Sequence, residues 1–357
     1  MKHIAVVAVF MLLSVSLTLA QTTRVEKKIA TKATGYGVTY SLPKTVFIIT
    51  SEMTKITRKA GQFYKYADLY LGIKDAIVED QIIYELNKVK LTNKGIPDID
   101  KTYIVEFKPG TVAPYVYLTE DGLLCSINTD YLPAVAAASD TPNATESGIM
   151  NVSGVYTEEL LKAGIVARQA EVAAKQIFLL RERKLDILTG NAENMPSDGD
   201  AMRMVIKGLE DQEQMLTSLF VGRTTQETFT HDITLIPNGA INEKVLFRFS
   251  KRQGILDADD LGGEPVLINL RITEQAQELP PKEAEKKEKS MKGIIYNMPG
   301  KARIEIKTAQ NTLYVGEHQV AQFGSQESLA PVMFEDKKTP VKVTFYPETG
   351  AIKQIDQ

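Results

Sequence analysis

The chain has 357 residues, of which 43% are hydrophobic and 24% are charged, the balance of an ordinary globular protein. Its formal net charge of −3 at pH 7 gives no electrostatic basis for binding nucleic acid, so we expect no nucleic-acid partner. The single cysteine excludes an intrachain disulfide, and three histidines are too few for a zinc site of the usual kind. We therefore predict no metal and no cofactor.

The N-terminus has the layout of a secretory signal peptide. Lys2 supplies a positive charge, Ile4–Ala20 carries no charge, and small residues precede Gln21, where a signal peptidase would cut. The alternative is a membrane anchor, but the run is shorter than the ~20 residues that a spanning helix needs. We predict a signal peptide over residues 1–20 and an exported, periplasmic or outer-membrane-associated protein. It is not a lipoprotein, because no cysteine lies near the cut, and we expect no transmembrane segment.

Residues 21–155 are predicted to form an N-terminal β-rich domain, because short runs of β-branched and alternating residues follow one another between turn signals. Aromatic residues spaced by three and four predict one short helix within Gly61–Gly72. Ala134–Gly148 has the composition of an irregular loop. The predicted strands are Gly37–Leu42, Thr45–Thr57, Ile82–Leu91, Thr102–Phe107, Tyr115–Leu118 and Leu123–Ile127.

Residues 156–222 are predicted to form a long antiparallel helical hairpin. The first helix begins at Thr157, a good N-cap residue, and continues without proline to the stop signal at Gly190. The second begins at Ser197 or Asp198 and ends at Gly222. Apolar residues recur on one face of each helix at helical spacing.

Residues 223–357 are predicted to form a C-terminal β-rich domain. Its charged segment at 275–290 has too little apolar surface to offset the entropy of ordering, which predicts a mobile loop or a frayed helix. The fold class is therefore α+β: two β-rich regions of sandwich- or barrel-like antiparallel sheets, separated by the helical hairpin. The predicted strands are Thr228–Ile236, Lys244–Ser250, Val266–Ile272, Gly293–Tyr296, Ala302–Lys307, Leu313–Val315 and Val341–Tyr346.

Patterns that often carry catalysis or bind metals are weak in this sequence. His231 and His318 have no second ligand at metal spacing. The acidic loop Asp257–Glu264 is the best calcium candidate, but it departs from the EF-hand pattern, and a solvated turn is favoured. Ser41–Lys44 matches Ser-x-x-Lys, yet proline stands within strand-like sequence, which favours a chance match. Cys125 has no activating neighbour and is predicted to be a small buried hydrophobe.

Several short runs, spread over most of the chain after residue 20, form a recognisable combination. The runs are Gly37–Thr45, Phe63–Asp68, Gly95–Asp98, Thr111–Pro114, Glu120–Leu124, Arg168–Glu171, Gln212-Glu213, Ala321–Gly324 and Tyr346–Gly350. With these runs the chain resembles an exported family that is common in Bacteroidetes, domain of unknown function forty-eight thirty-one. The resemblance implies an envelope location and a single architecture, and it implies no catalytic residue.

Three hypotheses for function follow. The preferred one is a non-enzymatic cell-envelope protein that acts by binding an envelope protein partner or as an assembly or accessory component. The alternative is a module that binds a small molecule or a glycan, in a pocket between the β-rich regions lined by residues such as Tyr115 and Tyr117, although these two also suit a core. The third is a carboxylate-based hydrolase, which would need two acidic residues facing each other in a cleft.

Overall fold

The computed structural model describes residues 37–106, 116–131, 156–194, 199–291, 293–330, 333 and 341–356. The predicted signal peptide, Tyr115, the loop at 134–148 and the candidate caps Ser197 and Asp198 lie outside the described residues.

The described residues form an α+β structure, which confirms the predicted class. The helical elements are a 3₁₀ turn, Tyr64–Tyr66, and the α-helices α1 (Ala67–Leu71), α2 (Glu158–Lys162), α3 (Val166–Thr189), α4 (Gly199–Val221) and α5 (Pro281–Ser290). The strands are β1 (Gly37–Lys59), β2 (Gln81–Glu106), β3 (Val116–Leu118), β4 (Leu124–Ile127), β5 (Arg223–Leu235), β6 (Ile241–Ser250), β7 (Gly254–Leu256), β8 (Glu264–Glu274), β9 (Ile294–Lys307), β10 (Thr312–Leu329), β11 (Lys342–Phe345) and β12 (Ile352–Asp356).

The strands form three sheets. The three-stranded sheet has the order β2-β1-β5, the five-stranded sheet β10-β9-β8-β6-β7, and the four-stranded sheet β12-β11-β4-β3. Their registered ladders are antiparallel, as the sequence predicts.

Two of these sheets combine strands from both sides of the helices. β1 pairs with β5 along the whole of β5, from Phe47↔Leu235 to Lys59↔Arg223, and β4 pairs with β11. The boundaries drawn at residues 155 and 223 therefore do not separate the sheets. Periodicity along the sequence reveals which residues form strands, but it carries no information on which strands pair across a long connection.

Several predicted strands are parts of longer ones. β1 runs through Pro43 and β2 through Pro97, where we expected breaks. Proline lacks the backbone N–H, and a strand tolerates it where no ladder hydrogen bond is lost. The registered ladder between β1 and β5 begins only at Phe47, and β2 is an edge strand of its sheet.

The predicted helices are confirmed with one change. The side chain of Thr157 accepts a hydrogen bond from the backbone N–H of Leu160 and caps α2, and Gly190 and Gly222 end α3 and α4 with positive φ. The first predicted helix is, however, divided between α2 and α3. Gly164 there has a φ of 75°, a left-handed conformation that interrupts a helix.

Three clusters of buried side chains hold the structure together. The first fills the space between the three-stranded and five-stranded sheets and includes Phe47, Ile268 and Ile304. The second packs α3 and α4 against α1 around Phe63, Ile177 and Phe220. The third lies against the four-stranded sheet.

The charged segment is partly helical. Residues 281–290 form α5, the helical one of the two predicted alternatives, whereas 275–280 have no regular structure. Lys287 on α5 lies 2.8 Å from Glu327 on β10, and the N–H of Ala276 donates to the carbonyl of Phe323. These contacts tie the segment to β10 and explain how a sequence with little apolar surface is held in place.

Candidate functional site

Four of the runs that resemble the family meet at one place, which we call the motif junction. It comprises Pro43–Thr45 on β1, Gly95–Asp98 on β2, Asn297 on β9, Ala321–Gly324 on β10, and the turn Pro347–Gly350. The turn connects β11 to β12, so the junction joins all three sheets.

Thr45 and Gln322 form the centre of the junction. The backbone N–H of Thr45 donates to Gln322 Oε1 over 2.9 Å, and Gln322 Nε2 donates to the carbonyl of Thr45 over 2.8 Å. The hydroxyl of the fully buried Thr45 donates to the carbonyl of Glu348 and accepts from the N–H of Ala321. The ladder between β1 and β5 begins only at Phe47. At Thr45, before that ladder begins, the side-chain amide of Gln322 therefore takes the place of a neighbouring strand as hydrogen-bond partner.

Asn297 and Tyr40 make similar contacts nearby. Asn297 Nδ2 donates to the carbonyls of Pro43 and Thr349, and its side chain is buried. The hydroxyl of Tyr40 donates to the carbonyl of Ile295 and accepts its N–H, and burial raises the pKa of this hydroxyl well above its ordinary value. Both side chains therefore form hydrogen bonds with backbone groups of segments that are distant in the sequence.

One ion pair lies beside these contacts. Lys44 Nζ is 2.9 Å from Asp98 Oδ1, and only 5% of the Asp98 side chain is exposed. The hydrogen bond to Asp98 raises the pKa of Lys44. Because these contacts are made between protein groups, the junction has the chemistry of a structural joint.

The literal Ser-x-x-Lys pattern is not assembled into a nucleophile. Ser41 Oγ lies 2.9 Å from Thr102 Oγ1, whereas Lys44 binds Asp98. Residues three apart in a strand point to opposite faces, so this separation follows from the extended backbone. The structure thus places Ser41 and Lys44 in separate contacts.

The acidic loop Asp257–Glu264 is built around an arginine. Arg248 Nε donates to the carbonyl of Ala258 over 3.0 Å, and its Nη1 donates to the carbonyl of Gly263 over 3.1 Å. Asp260 Oδ1 accepts from the N–H of Gly262. The guanidinium of Arg248 thus binds two backbone carbonyls of this loop, and Asp257, Asp259 and Asp260 are exposed.

His231 and His318 lie on different strands. His231 is exposed on β5, with its ring centroid 6.4 Å from that of Phe247. His318 on β10 is partly buried, its Nε2 lies 2.5 Å from the hydroxyl of Tyr314, and burial lowers its pKa.

We expect His318 to make the protein less stable in mild acid. Its pKa is lowered in the folded state, so the unfolded chain binds the proton more readily as pH falls below about 6.5. His318→Gln should flatten the decline of the urea unfolding midpoint between about pH 7 and pH 5. The exposed His231→Gln serves as the control and should keep the wild-type slope. Equal slopes for all three proteins would contradict this assignment.

Cys125 is fully buried in β4, and burial raises its pKa to about 11. Its Sγ lies 3.6 Å from the carbonyl of Leu123. These observations support the predicted packing role.

We expect Cys125 in the native protein to resist alkylation by iodoacetamide at pH 8 for hours and Cys125 in the urea-unfolded protein to react fully, measured as added mass. Fast labelling of the native protein would show that β4 opens easily.

Of the two tyrosines considered for a ligand pocket, only Tyr117 belongs to the described residues. Its hydroxyl lies 3.4 Å from Asp130 Oδ1 near the surface. It lines neither of the two clefts described below.

A cleft of about 450 Å³ opens between the three-stranded and five-stranded sheets, and we call it the mouth cleft. Near the pair Phe47↔Leu235, buried side chains fill the gap between these sheets. Towards the pair Met53↔Phe229 the gap is open, and both of these residues line the cleft. Its lining is mostly apolar. It consists of Met53, Phe229, Thr230, His231, Ile233, Leu246, Phe247, Ile255, Leu256, Asp257 and Ala258.

A second groove of about 520 Å³ lies beside α5 and β10. It is more polar, and Gln275, Gln277 and Gln326 contribute to its lining. The hydroxyl of Tyr103, which also lines it, donates to Gln326 Oε1 over 3.3 Å. Sequence analysis missed both clefts, because each is formed by residues from segments that are distant in the chain.

In the part of the chain that the structure describes, His, Cys, Asp and Glu side chains nowhere gather in threes that could hold a metal ion. None of the described helices is long and apolar enough to cross a membrane.

The fold and the junction define an α+β protein in which antiparallel sheets are joined by side-chain-to-backbone contacts. The chain belongs to the family described as Domain of unknown function (DUF4831), whose model matches residues 36–353. This match confirms the family resemblance of the motif runs. No curated protein and no solved structure matches the chain significantly.

Proposed function

We propose that this is a non-enzymatic protein of the cell envelope that acts by binding a protein partner, as an assembly or accessory component. The observation that carries the proposal is an apolar surface on the outer part of α3 and α4. We call residues 178–189 and 199–215 the distal arm, and we interpret the two helices as a hairpin.

The distal arm buries little of its own surface. In its α4 part no residue is buried, and in its α3 part only Leu180 and Ile187 are. Leu185, Leu188 and Met204 are 60%, 62% and 76% exposed. Leu185 and Leu188 are three residues apart in α3, so they are neighbours on its surface. Exposed apolar side chains that lie together mark interaction sites more often than scattered ones do.

Ion pairs keep the two helices of the arm together. Arg181 Nε lies 2.6 Å from Glu213 Oε1, and Lys184 Nζ lies 3.2 Å from Glu213 Oε2. Burial raises the pKa of Glu213, but the hydrogen bonds from Arg181 and Lys184 outweigh it, so the pKa is lowered. These pairs support a stiff arm that presents its apolar side chains in a fixed arrangement.

The alternative, a module that binds a small molecule or a glycan, is favoured by the two clefts. Their volumes fall within the range of about 300–1,000 Å³ that is typical of ligand pockets. A thermal-shift screen against glycans and peptides would favour this alternative if one compound raises the melting temperature and the distal arm makes no crosslinks.

Crosslinking and mass spectrometry on intact cells test the partner-binding proposal. We expect reproducible links from the distal arm to one envelope component. Leu185→Gln with Leu188→Gln should reduce these links at least tenfold without lowering the melting temperature, because both side chains are exposed and no crosslinkable group is added. Leu261→Gln, at a side chain that is 84% exposed elsewhere, is the matched control. Scattered links, or links that the double variant leaves unchanged, would overturn the proposal.

Export is a separate part of the proposal and rests on the N-terminal signal. Mass spectrometry of the protein recovered from the envelope fraction should find Gln21 as its first residue. Recovery from the cytoplasm with Met1–Ala20 still attached would contradict export without bearing on the distal arm.

A further inference from the structure

β5 presents an open strand edge. Within the described residues it lies at the end of the three-stranded sheet, with β1 on one side and no strand on the other. Its 13 residues pair with β1 without a register shift. In an antiparallel ladder the backbone groups of alternate residues point away from the partner, so β5 offers a regular row of donors and acceptors on its outer side.

The other long edges of these two sheets carry features that hinder pairing, and β5 lacks them. β2 contains Lys88, Lys90, Lys94 and Pro97. β10 is broken by two register shifts, one of them at Ala321–Gly324. Lysine, proline and bulges are the usual protection of edge strands, and β5 contains none of the three. Its acidic side chains Glu227 and Asp232 contact Lys55 and Thr50 on β1. It is instead rich in threonine, which has a high β-propensity.

The mouth cleft lies on one face of this strand. Phe229, His231 and Ile233 alternate along β5, so they point to the same face, and each lines the cleft. Phe229 is 43% exposed, although its neighbours in the cleft include Leu246 and Ile255. A strand added beside β5 would direct every second side chain to this same face, where the cleft can receive apolar groups.

One end of the cleft is acidic. Asp257 lines it, and Asp259 and Asp260 follow in the adjoining turn, all three exposed. A basic side chain next to the apolar ones would complement this charge. The occupant that fits is therefore an extended peptide with apolar residues at alternate positions and a lysine or arginine at one end.

We propose that β5 and the mouth cleft bind such a segment of a partner protein by strand addition. This inference rests on the proposed function as a partner-binding protein, and it names the form in which part of the partner is recognised. The backbone of β5 provides the affinity, and the cleft and Asp257 select the side chains.

Selection from a display library of random peptides of about ten residues tests the inference with the full mature chain. We expect enrichment of peptides with alternating apolar residues and a basic end. Phe229→Glu should weaken the selected peptide at least tenfold in fluorescence anisotropy, and Asp257→Lys should shift the selection to acidic ends. Leu261→Glu is the control for Phe229→Glu. Failure to enrich any peptide above the Phe229→Glu background would overturn the inference.

Two N-methylated forms of the selected peptide separate strand addition from simple filling of the cleft. Methyl groups on one set of alternate amides should abolish binding, and methyl groups on the other set should leave it within about twofold. Equal effects of both sets would overturn strand addition, as would dimers formed through β5 in place of peptide binding. If crosslinks from the distal arm persist while these tests fail, only this inference falls. If both fail, the proposed function falls with it.

Discussion

Gly324→Ala should unfold this protein or destabilise it by at least about 3 kcal/mol. A methyl group at this position would lie 1.8 Å from the carbonyl oxygen of Met298 and 2.7 Å from the Cα of Pro299. Both are backbone atoms of β9, so no side chain can move aside. The bulge at Ala321–Gly324, and with it the position of Gln322, depends on this close approach.

Gly208→Ala is the matched control, and it should have the opposite sign. Gly208 lies inside α4, and nothing lies within 4 Å of the position that its Cβ would take. Alanine there should stabilise the protein by about 1 kcal/mol, because glycine is a poor helix former. Urea unfolding of both variants measures the difference. A Gly324→Ala protein within about 1 kcal/mol of the wild type would show that β9 and β10 are not held as close as described.

Gln322→Glu should destabilise the protein by about 3 kcal/mol at neutral pH. The amide donates to the carbonyl of Thr45 over 2.8 Å, and a carboxylate would place an acceptor against that carbonyl. The change keeps the size of the side chain. The loss of stability therefore measures the lost hydrogen bond together with the repulsion that replaces it. Burial next to a carbonyl raises the pKa of the new carboxyl, so its protonated form favours folding. The deficit should therefore shrink as pH falls towards about 4.

Gln319→Glu makes the same chemical change on the same strand at an exposed position opposite Lys301. It should leave the unfolding midpoint within about 0.5 kcal/mol of the wild type. If Gln322→Glu behaves like Gln319→Glu, the contact between Gln322 and Thr45 contributes nothing, and the motif junction loses its central element.

The elements that depend on local chemistry were predictable from the sequence. Thr157, Gly190 and Gly222 mark helix ends because caps act within a turn of the residues that form them. The division at Gly164 was missed because a single glycine inside a helical pattern does not show whether the backbone continues. The strands through Pro43 and Pro97 were divided because sequence does not show which residues lack a ladder partner.

The motif junction shows why the candidate site was harder to predict. The run Ala321–Gly324 contains no charged or reactive side chain. Its structural role depends on Thr45, which lies 277 positions away from Gln322 in the chain. Asn297 belongs to none of the runs that resemble the family, and only the structure shows that it bonds two of them. A run of residues with no reactive group can still be characteristic of a family, because it fits one backbone arrangement.

The pairing of β1 with β5 also determines when the chain can fold. The ladder joins residues 47–59 to residues 223–235, and the hydroxyl of Thr45 donates to the carbonyl of Glu348, 303 positions later in the chain. Contacts of such long range slow folding, because the entropy of closing the loop is lost before the contacts form. As the chain emerges from its N-terminus, β1 can pair with β2, but the edge of β1 that joins β5 has no partner until α3 and α4 have been made. Vectorial synthesis therefore leaves one edge of β1 unpaired until β5 has been made, and factors that shield this edge should influence how much protein reaches the native state.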